Sequence, residues 1–206
     1  MGKILPFPPK QPSKFGFVRV KNRKKEIPDQ LNLFAPMVGQ VLHLPTYTCP
    51  FEEALLLDEH NDSRAEEAYW RAISEGDHVA DAYCNLGIIE SKAGKTVKAF
   101  DCLTKSLECD SRHLEAHYNL GNLYFDAENL RLARMHYELI AEIDPTFPNV
   151  YFNLGLVLVL LEEQNAAIDA FVKYRLLAPQ EECSKADNLI SELKRSLSAS
   201  GRNTRP

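Results

Sequence analysis

The sequence predicts an all-α fold of stacked helical hairpins, because three kinds of residue recur with a period of 34. Alanines mark this period at Ala65, Ala99, Ala133 and Ala167. Leucine–glycine pairs follow it at Leu86-Gly87, Leu120-Gly121 and Leu154-Gly155, and prolines follow it at Pro145 and Pro179. A repeat of this length cannot bury its own apolar face and has to stack on copies of itself, so the pattern indicates a solenoid.

The first hairpin, within residues 46–79, departs from the pattern in its first helix. Its second helix carries Ala65 and Tyr69 at helical spacing. Glu52 and Glu53, however, stand where the leucine–glycine pair is expected. Terminal repeats are often atypical in this way because one of their sides faces solvent. We therefore expect a capping copy of the hairpin at the start of the solenoid.

The second hairpin, residues 80–111, shows the pattern clearly. Its first helix presents one apolar face made of Tyr83, Leu86, Ile89 and Ala93. Its second helix presents another made of Val97, Phe100, Leu103 and Leu107. Gly94 lies between them and is a good helix terminator because it accepts a positive φ.

The third and fourth hairpins copy this arrangement as far as Pro179. Each glycine of a leucine–glycine pair is expected to let the two helices of its hairpin approach closely. The recurring alanines are expected to allow the same approach from the second helix. Pro145 and Pro179 begin the connection to the next unit, since proline cannot continue a helix but is tolerated in its first turn. The apolar spacing over Glu181–Ser198 then predicts a single cap helix.

These residues resemble the tetratricopeptide repeat (TPR) family, whose pattern pairs Leu-Gly with a later alanine, an aromatic residue and a proline. The resemblance covers residues 46–198 and implies a right-handed superhelix of about four repeats with a C-terminal cap helix. Tyr174 replaces the usual small residue of the last repeat. Residues 1–45 are predicted to be an extended, proline-rich basic arm, and residues 199–206 a disordered tail.

The resemblance also implies a peptide-binding groove, because the first helix of each repeat lines the inner face in this family. The implied groove residues are Asn85, Ile88, Glu115, Tyr118, Asn119, Asn122, Phe125, Phe152, Asn153 and Leu156. Asn85, Asn119 and Asn153 form a ladder, and an Asn amide offers a donor and an acceptor to a peptide backbone. The alternative is that these residues cap or link adjacent helices. A groove position for Asn122 predicts that Asn122→Leu is tolerated, whereas Gly121→Leu would crowd the hairpin.

The resemblance does not extend to the carboxylate clamp of chaperone-binding TPR proteins. In those proteins, Lys and Arg flank such an Asn and hold a C-terminal carboxylate. Here Asn149 and Asn153 stand where those cations would be, and Asp81 and Glu115 add negative charge. A clamp for a carboxylate is therefore not expected.

Charge is distributed unevenly along the 206 residues, whose formal net charge is -5. The first 50 residues carry eight basic and two acidic side chains, whereas the remainder carries 16 basic and 27 acidic ones. No apolar run is long enough to cross a bilayer, and the start of the chain lacks the features of a secretory signal. These properties predict a cytoplasmic protein that does not bind membranes.

The basic run Lys21, Arg23, Lys24 and Lys25 suggests a nucleic-acid contact of the arm. The alternatives are a solubilising tail and a tail that pairs with its own acidic solenoid. Just before this run, Phe15, Phe17, Val18 and Val20 favour one short extended segment. This segment has no obvious partner within the arm, so it could dock on the solenoid.

A second motif, Gln30-Leu31-Asn32-Leu33-Phe34, follows the basic run. It resembles the short peptide by which bacterial proteins bind the sliding clamp of the replication machinery. Gln30 would form hydrogen bonds at the rim of the clamp pocket, and Leu31, Leu33 and Phe34 would fill apolar pockets. The alternative is that these three apolar residues anchor the arm on the first repeat.

No motif in the sequence predicts catalysis or a cofactor. A nucleophile elbow, a phosphate-binding glycine loop and a Cys-His signature are not found. His113 and His117 are four residues apart and could hold a metal on one helix face. A third ligand is not evident, however, and His117 takes the position at which Tyr83 and Tyr151 pack in neighbouring repeats. We therefore expect a protein that is not an enzyme and that holds no metal or cofactor.

Three functions are compatible with these features. The first is a non-enzymatic adaptor that binds a segment of another protein in the groove. The second is an accessory factor of DNA replication, repair or regulation, tethered through QLNLF and the basic arm. The third is a self-inhibited adaptor whose arm occupies its own groove until it is displaced.

Overall fold

The computed structural model describes residues 14–21 and 49–200, which contain nine α-helices and no strand. In chain order these are α1 (Pro50–Glu59), α2 (Ala65–Glu75), α3 (Val79–Lys92), α4 (Thr96–Cys109), α5 (Leu114–Asp126), α6 (Leu130–Ile143), α7 (Pro148–Leu160), α8 (Gln164–Leu177) and α9 (Ser184–Ser200). The all-α prediction is thus confirmed for this part of the chain. Among these helices, none combines the length and the apolar character that a membrane span requires.

The described residues form two compact units. The first unit consists of residues 19–21 and 49–111 and contains α1 to α4. The second unit consists of residues 14–18 and 112–200 and contains α5 to α9. Within the units, successive helices pack as the hairpins α1–α2, α3–α4, α5–α6 and α7–α8.

The glycines of the leucine–glycine pairs lie where the two helices of a hairpin cross. A Cβ atom at Gly87 would lie 2.7 Å from Cγ of Leu103. The same atom at Gly121 would lie 2.6 Å from Cε1 of Tyr137, and at Gly155 it would lie 2.6 Å from Cε1 of Phe171. These distances are far shorter than an ordinary contact, so the predicted close approach of the helices is confirmed.

The turn inside three hairpins contains one residue in the left-handed region. Gly94 has φ 75°, and the residues at the same repeat position, Glu128 and Glu162, have φ 58° and 64°. The backbone N–H that follows this residue returns to the preceding helix, as from Asn129 to the carbonyl of Tyr124 at 2.9 Å. A left-handed conformation costs a non-glycine residue about 1 kcal/mol. The two glutamates therefore carry a conformational strain that Gly94 avoids.

This strain predicts that Glu128→Gly raises the free energy of unfolding by about 0.5–1 kcal/mol. Glu128 is exposed, so the substitution removes no buried contact. The matched control is Gly94→Ala, which should lower stability by a similar amount because it introduces a Cβ at the same backbone conformation. Urea unfolding of the full chain measures both. A lower midpoint for Glu128→Gly would show that the left-handed turn is not the source of strain.

The second unit is closed by α9, which buries Ala186, Leu189, Ile190 and Leu193. Tyr174, the large residue in place of a small one, is fully buried, and its ring centroid lies 5.1 Å from that of Phe152. The cap helix begins at Ser184, later than Glu181, because Gln180–Glu182 forms a 3-10 turn after Pro179. It continues to Ser200 and so enters the segment predicted as a tail.

Candidate peptide-binding site

Three asparagines occupy the same position in the first helices of successive hairpins. Asn85 lies on α3, Asn119 on α5 and Asn153 on α7, and all three are fully buried. A buried amide requires hydrogen-bond partners for both its oxygen and its nitrogen. The partners of each amide therefore identify what its helix binds.

In the second unit, the partners are backbone groups of residues 14–18. Asn153 Oδ1 accepts a hydrogen bond from the N–H of Phe15 at 2.8 Å, and its Nδ2 donates to the carbonyl of Phe15 at 3.1 Å. Asn119 forms the same pair of bonds with Val18, both at 2.9 Å. Each amide thus satisfies both polar groups of one residue, as a neighbouring β-strand would. These bonds do not depend on which side chains residues 15 and 18 carry.

A network of side chains connects these contacts across α5, α6 and α7. Asn122 Nδ2 donates to the carbonyl of Gly16 at 3.1 Å. Its Oδ1 accepts hydrogen bonds from the hydroxyl of Tyr137 at 2.7 Å and from Nδ2 of Asn153 at 3.0 Å. Asn153 also donates to the hydroxyl of Tyr118 at 3.0 Å. The asparagines therefore link adjacent helices and bind a backbone segment at the same time.

The structure does not favour the expectation that Asn122 tolerates replacement by leucine. Asn122 is fully buried, and both ends of its amide are bonded. Burial also raises the pKa of Tyr137, which keeps its hydroxyl protonated as a donor to Asn122. A leucine would leave this hydroxyl and the carbonyl of Gly16 without their partner.

The side chain of Phe15 lies against aromatic rings of α7 and α8. Its ring centroid is 5.0 Å from that of Phe152, with an interplanar angle of 73°, and 5.6 Å from that of Tyr174. Edge-to-face pairs of this kind add to the gain from burying the ring. The hydroxyl of Tyr118 lies 3.4 Å from the carbonyl of Phe15. The second unit therefore provides a defined site for one aromatic side chain.

Lys14 brings a positive charge to the end of α5. Its Nζ lies 3.0 Å from Oδ1 of Asp126 and 5.8 Å from the ring centroid of Phe125. The side chain of Lys14 is 14% exposed, whereas that of Asp126 is 56% exposed. Because water screens the Asp126 carboxylate, the ion pair contributes only modestly to binding affinity. It contributes more to selecting a positively charged residue at the position of Lys14.

The first unit repeats the asparagine contact with Val20. Asn85 Oδ1 accepts from the N–H of Val20 at 3.0 Å, and its Nδ2 donates to the carbonyl of Val20 at 3.2 Å and to the hydroxyl of Tyr69 at 3.1 Å. Arg19 forms an ion pair with Asp58 at 2.7 Å. Burial raises the pKa of Asp58, and the charge of Arg19 opposes this shift. Arg19 thus provides a cation next to an otherwise buried carboxylate.

The other implied groove residues differ in how deeply they are buried. Ile88 and Leu156 are buried, while Glu115 and Phe125 are partly buried. The repeat positions missed Asp58, Asp126 and Tyr174, because none of these lies at the positions that line the groove in the family. The apolar residues Phe15, Phe17, Val18 and Val20 were the available signal for the bound segment. They predicted an extended segment but not the helices that hold it.

The remaining arm motifs lie outside the described residues. This holds for Arg23, Lys24 and Lys25 of the basic run and for Gln30, Leu31, Leu33 and Phe34 of the clamp-like motif. Lys21 is described and is exposed. Binding of nucleic acid or of a sliding clamp by the arm therefore stays a prediction.

The two histidines considered as metal ligands have other contacts. His113 caps α5, since its Nδ1 accepts from the N–H of Ala116 at 3.1 Å. His117 Nδ1 lies 2.9 Å from His136 Nδ1 in the core. Burial, with a smaller contribution from His117, lowers the pKa of His136 to about 4. His136 is therefore neutral at physiological pH, and one ring of the pair can donate to the other.

A different set of possible ligand atoms lies before α1 and α3. The ligand atoms of Cys49, Asp77 and His78 all lie within 4.8 Å of one another. Asp77 Oδ2 accepts from the N–H of Phe51 at 2.8 Å, and its Oδ1 lies 2.8 Å from Nδ1 of His78. Both carboxylate oxygens therefore have partners, and the one bonded to Phe51 satisfies a free N–H at the start of α1.

The comparisons agree with this arrangement of helices. A tetratricopeptide-repeat family model matches residues 114–147, which contain α5 and α6. A comparison with curated protein sequences gives no significant match.

Among solved structures, MamA from AMB-1 is 23% identical over 72% of this chain and 81% of its own, with a TM-score of 0.61. The first TPR of Spaghetti (RPAP3), solved with the HSP90 peptide SRMEEVD, is 21% identical over 58% of this chain and 93% of its own, with a TM-score of 0.54. The first TPR domain of human RPAP3 is 23% identical over 62% and 98%, with a TM-score of 0.54. The chain therefore contains a tetratricopeptide repeat at residues 114–147, and its described helices have the all-α fold of tetratricopeptide-repeat solenoids.

Proposed function

We propose that this protein is a non-enzymatic interaction adaptor whose asparagine-bearing helices bind an extended protein segment. The observation that carries this proposal is the paired hydrogen bonding of Asn119 and Asn153 to the backbone of residues 14–18. A side chain that accepts from and donates to the same residue recognises an extended backbone of almost any sequence. Recognition of this kind suits a face that binds protein.

The burial of these amides also supports the proposal. Asn119 and Asn153 are fully buried, and residues 14–18 supply bonds to both. A buried polar group without a partner costs about 1–3 kcal/mol. A face with this composition is therefore most stable when an extended segment covers it.

The segment bound at this site differs in charge from the peptide bound to the RPAP3 repeat. The peptide SRMEEVD contains three acidic residues near its end. Here the acid, Asp126, belongs to the helices, and the cation, Lys14, belongs to the bound segment. This opposite arrangement favours a partner segment that is not acidic.

The origin of the segment bound to these helices favours a second candidate function, in which the adaptor inhibits itself. Residues 14–21 belong to the same chain, so they act as a tethered ligand. Tethering raises the effective concentration of such a ligand, up to the order of millimolar for short linkers. A partner segment would then have to compete with residues 14–21, and its apparent affinity would rise when they are weakened.

A labelled peptide of residues 12–21 tests both candidates by fluorescence anisotropy. The full wild-type chain should bind it poorly, because its own residues compete. The full chain with Phe15→Ala should bind it with an affinity on the order of 10 µM, since the tethered segment has lost its aromatic anchor. Adding Asn119→Ala and Asn153→Ala to this variant should abolish binding, whereas Asn188→Ala, an exposed control on α9, should not.

The two candidates fail in different ways. Binding that survives the loss of both asparagines would contradict the peptide-binding face. Equal binding to the wild-type chain and to Phe15→Ala would contradict self-inhibition while leaving the binding face intact. Circular dichroism of each variant confirms that the helices remain folded.

A further inference from the structure

We propose that the second unit selects partner segments with a basic residue directly before an aromatic residue, and that it places no demand on the residue that follows. This inference rests on the proposed function and specifies the chemical class of the partner. Lys14, Phe15 and Gly16 show the pattern in the chain itself. The occupant is a segment of another protein that displaces residues 14–18.

The aromatic requirement follows from what surrounds Phe15. Phe152 is buried and presents its ring at 5.0 Å, and Tyr174 completes the contact at 5.6 Å. The backbone bonds from Asn153 on the same residue fix where its side chain points. An aliphatic or polar side chain at this position would forfeit the ring contacts and bury less apolar area.

The basic requirement follows from the position of Asp126. It is the last residue of α5, where the partial negative charge of a helix terminus disfavours an acid. The same repeat position at the end of α3 is Lys92, which suits a helix terminus. Asp126 is therefore unfavourable for the terminus of its own helix, and its carboxylate lies 3.0 Å from Lys14 Nζ. The ring of Phe125 gives the same cation a second favourable contact.

The third position is permissive. A Cβ atom at Gly16 would have no atom within 4 Å, its φ is not in the left-handed region, and the residue is exposed. Asn122 binds the carbonyl of Gly16, which any residue supplies. Glycine is therefore not required at this position, so a substitution of Gly16 serves as an internal control for the pattern.

Binding of substituted peptides to the full chain carrying Phe15→Ala tests this pattern. The probes are labelled peptides of residues 12–21, either unchanged or with a single substitution. Phe15→Ala in the peptide should weaken binding about tenfold or more. Lys14→Glu should weaken it about threefold at low salt, with a smaller effect at high salt. Gly16→Ala should change it less than twofold.

A charge exchange separates a direct contact from a general effect on folding. Asp126 is exposed, so Asp126→Lys can be added to the Phe15→Ala chain without disturbing the core. This variant should bind the Lys14→Glu peptide more tightly than the unchanged peptide, which reverses the original order. An unchanged order would remove Asp126 from the recognition of charge and overturn the basic requirement.

The outcomes distinguish this inference from the proposed function. If no peptide binds any variant, the binding face itself is wrong. If the unchanged, Phe15→Ala and Lys14→Glu peptides bind equally, the face reads only the backbone and the selective pattern is overturned. If sedimentation shows that the wild-type chain forms dimers that Phe15→Ala abolishes, the occupant is residues 14–18 of a second copy, and a foreign partner segment is ruled out as the primary ligand.

Discussion

Gly121→Leu is expected to lower the free energy of unfolding by about 3 kcal/mol, the largest effect of any single substitution considered. Even a Cβ atom at this position would lie 2.6 Å and 2.9 Å from two carbons of the Tyr137 ring. Tyr137 cannot move away easily, because it is fully buried and donates to Asn122. The longer side chain therefore has to separate α5 from α6. Urea unfolding followed by circular dichroism measures the change.

The matched control is Gly16→Leu, because Gly16 has open space around its Cβ position. It should leave the unfolding midpoint within experimental error. If Gly121→Leu unfolds at the wild-type urea concentration, the crossing of α5 and α6 at this glycine is wrong.

Asn153→Leu should have the second largest effect and should combine a loss of stability with a loss of docking. Leucine is similar in size to asparagine, but it cannot form the bonds to the backbone of Phe15 or to Tyr118 and Asn122. These partners are largely buried, so we expect a cost of about 2 kcal/mol. Phe15 should also leave its aromatic site, and nuclear magnetic resonance shifts of its ring protons would report this.

Asn149→Leu provides the control on the same helix. Asn149 lies about one turn before Asn153 and is only partly buried. It should cost less than about 1 kcal/mol and leave the ring shifts of Phe15 unchanged. Equal effects of the two substitutions would mean that the loss at Asn153 reflects helix packing in general and not recognition of the segment.

The helices could be predicted from the sequence because their determinants are local and periodic. The leucine–glycine pairs, the alanines and the turn at Gly94 recur at fixed spacing, so one copy supports the next. The start of the cap helix was displaced by three residues because Pro179 leads into a 3-10 turn, and this depends on local backbone angles that no repeat copy reveals.

The site could be predicted only in part. The repeat pattern indicated Asn85, Asn119 and Asn153. It placed Asn122 at an open position of the groove, whereas Asn122 is buried and accepts a hydrogen bond from the hydroxyl of Tyr137. The segment that binds to the helices was harder still to predict. Its attachment depends on contacts more than 100 residues away in sequence, as between Phe15 and Asn153, and periodicity carries no information about such contacts.

Amide hydrogen exchange at Phe15 and Val18 tests the central claim most directly, because the asparagine bonds hold these two N–H groups. In the full wild-type chain, both amides should exchange at least about 10-fold more slowly than in the free peptide, corresponding to more than about 1.4 kcal/mol of protection. Asn119→Ala should accelerate exchange at Val18 more than at Phe15, and Asn153→Ala should do the reverse. Exchange of both amides at the free-peptide rate in the wild-type chain would contradict binding of an extended backbone by the asparagines.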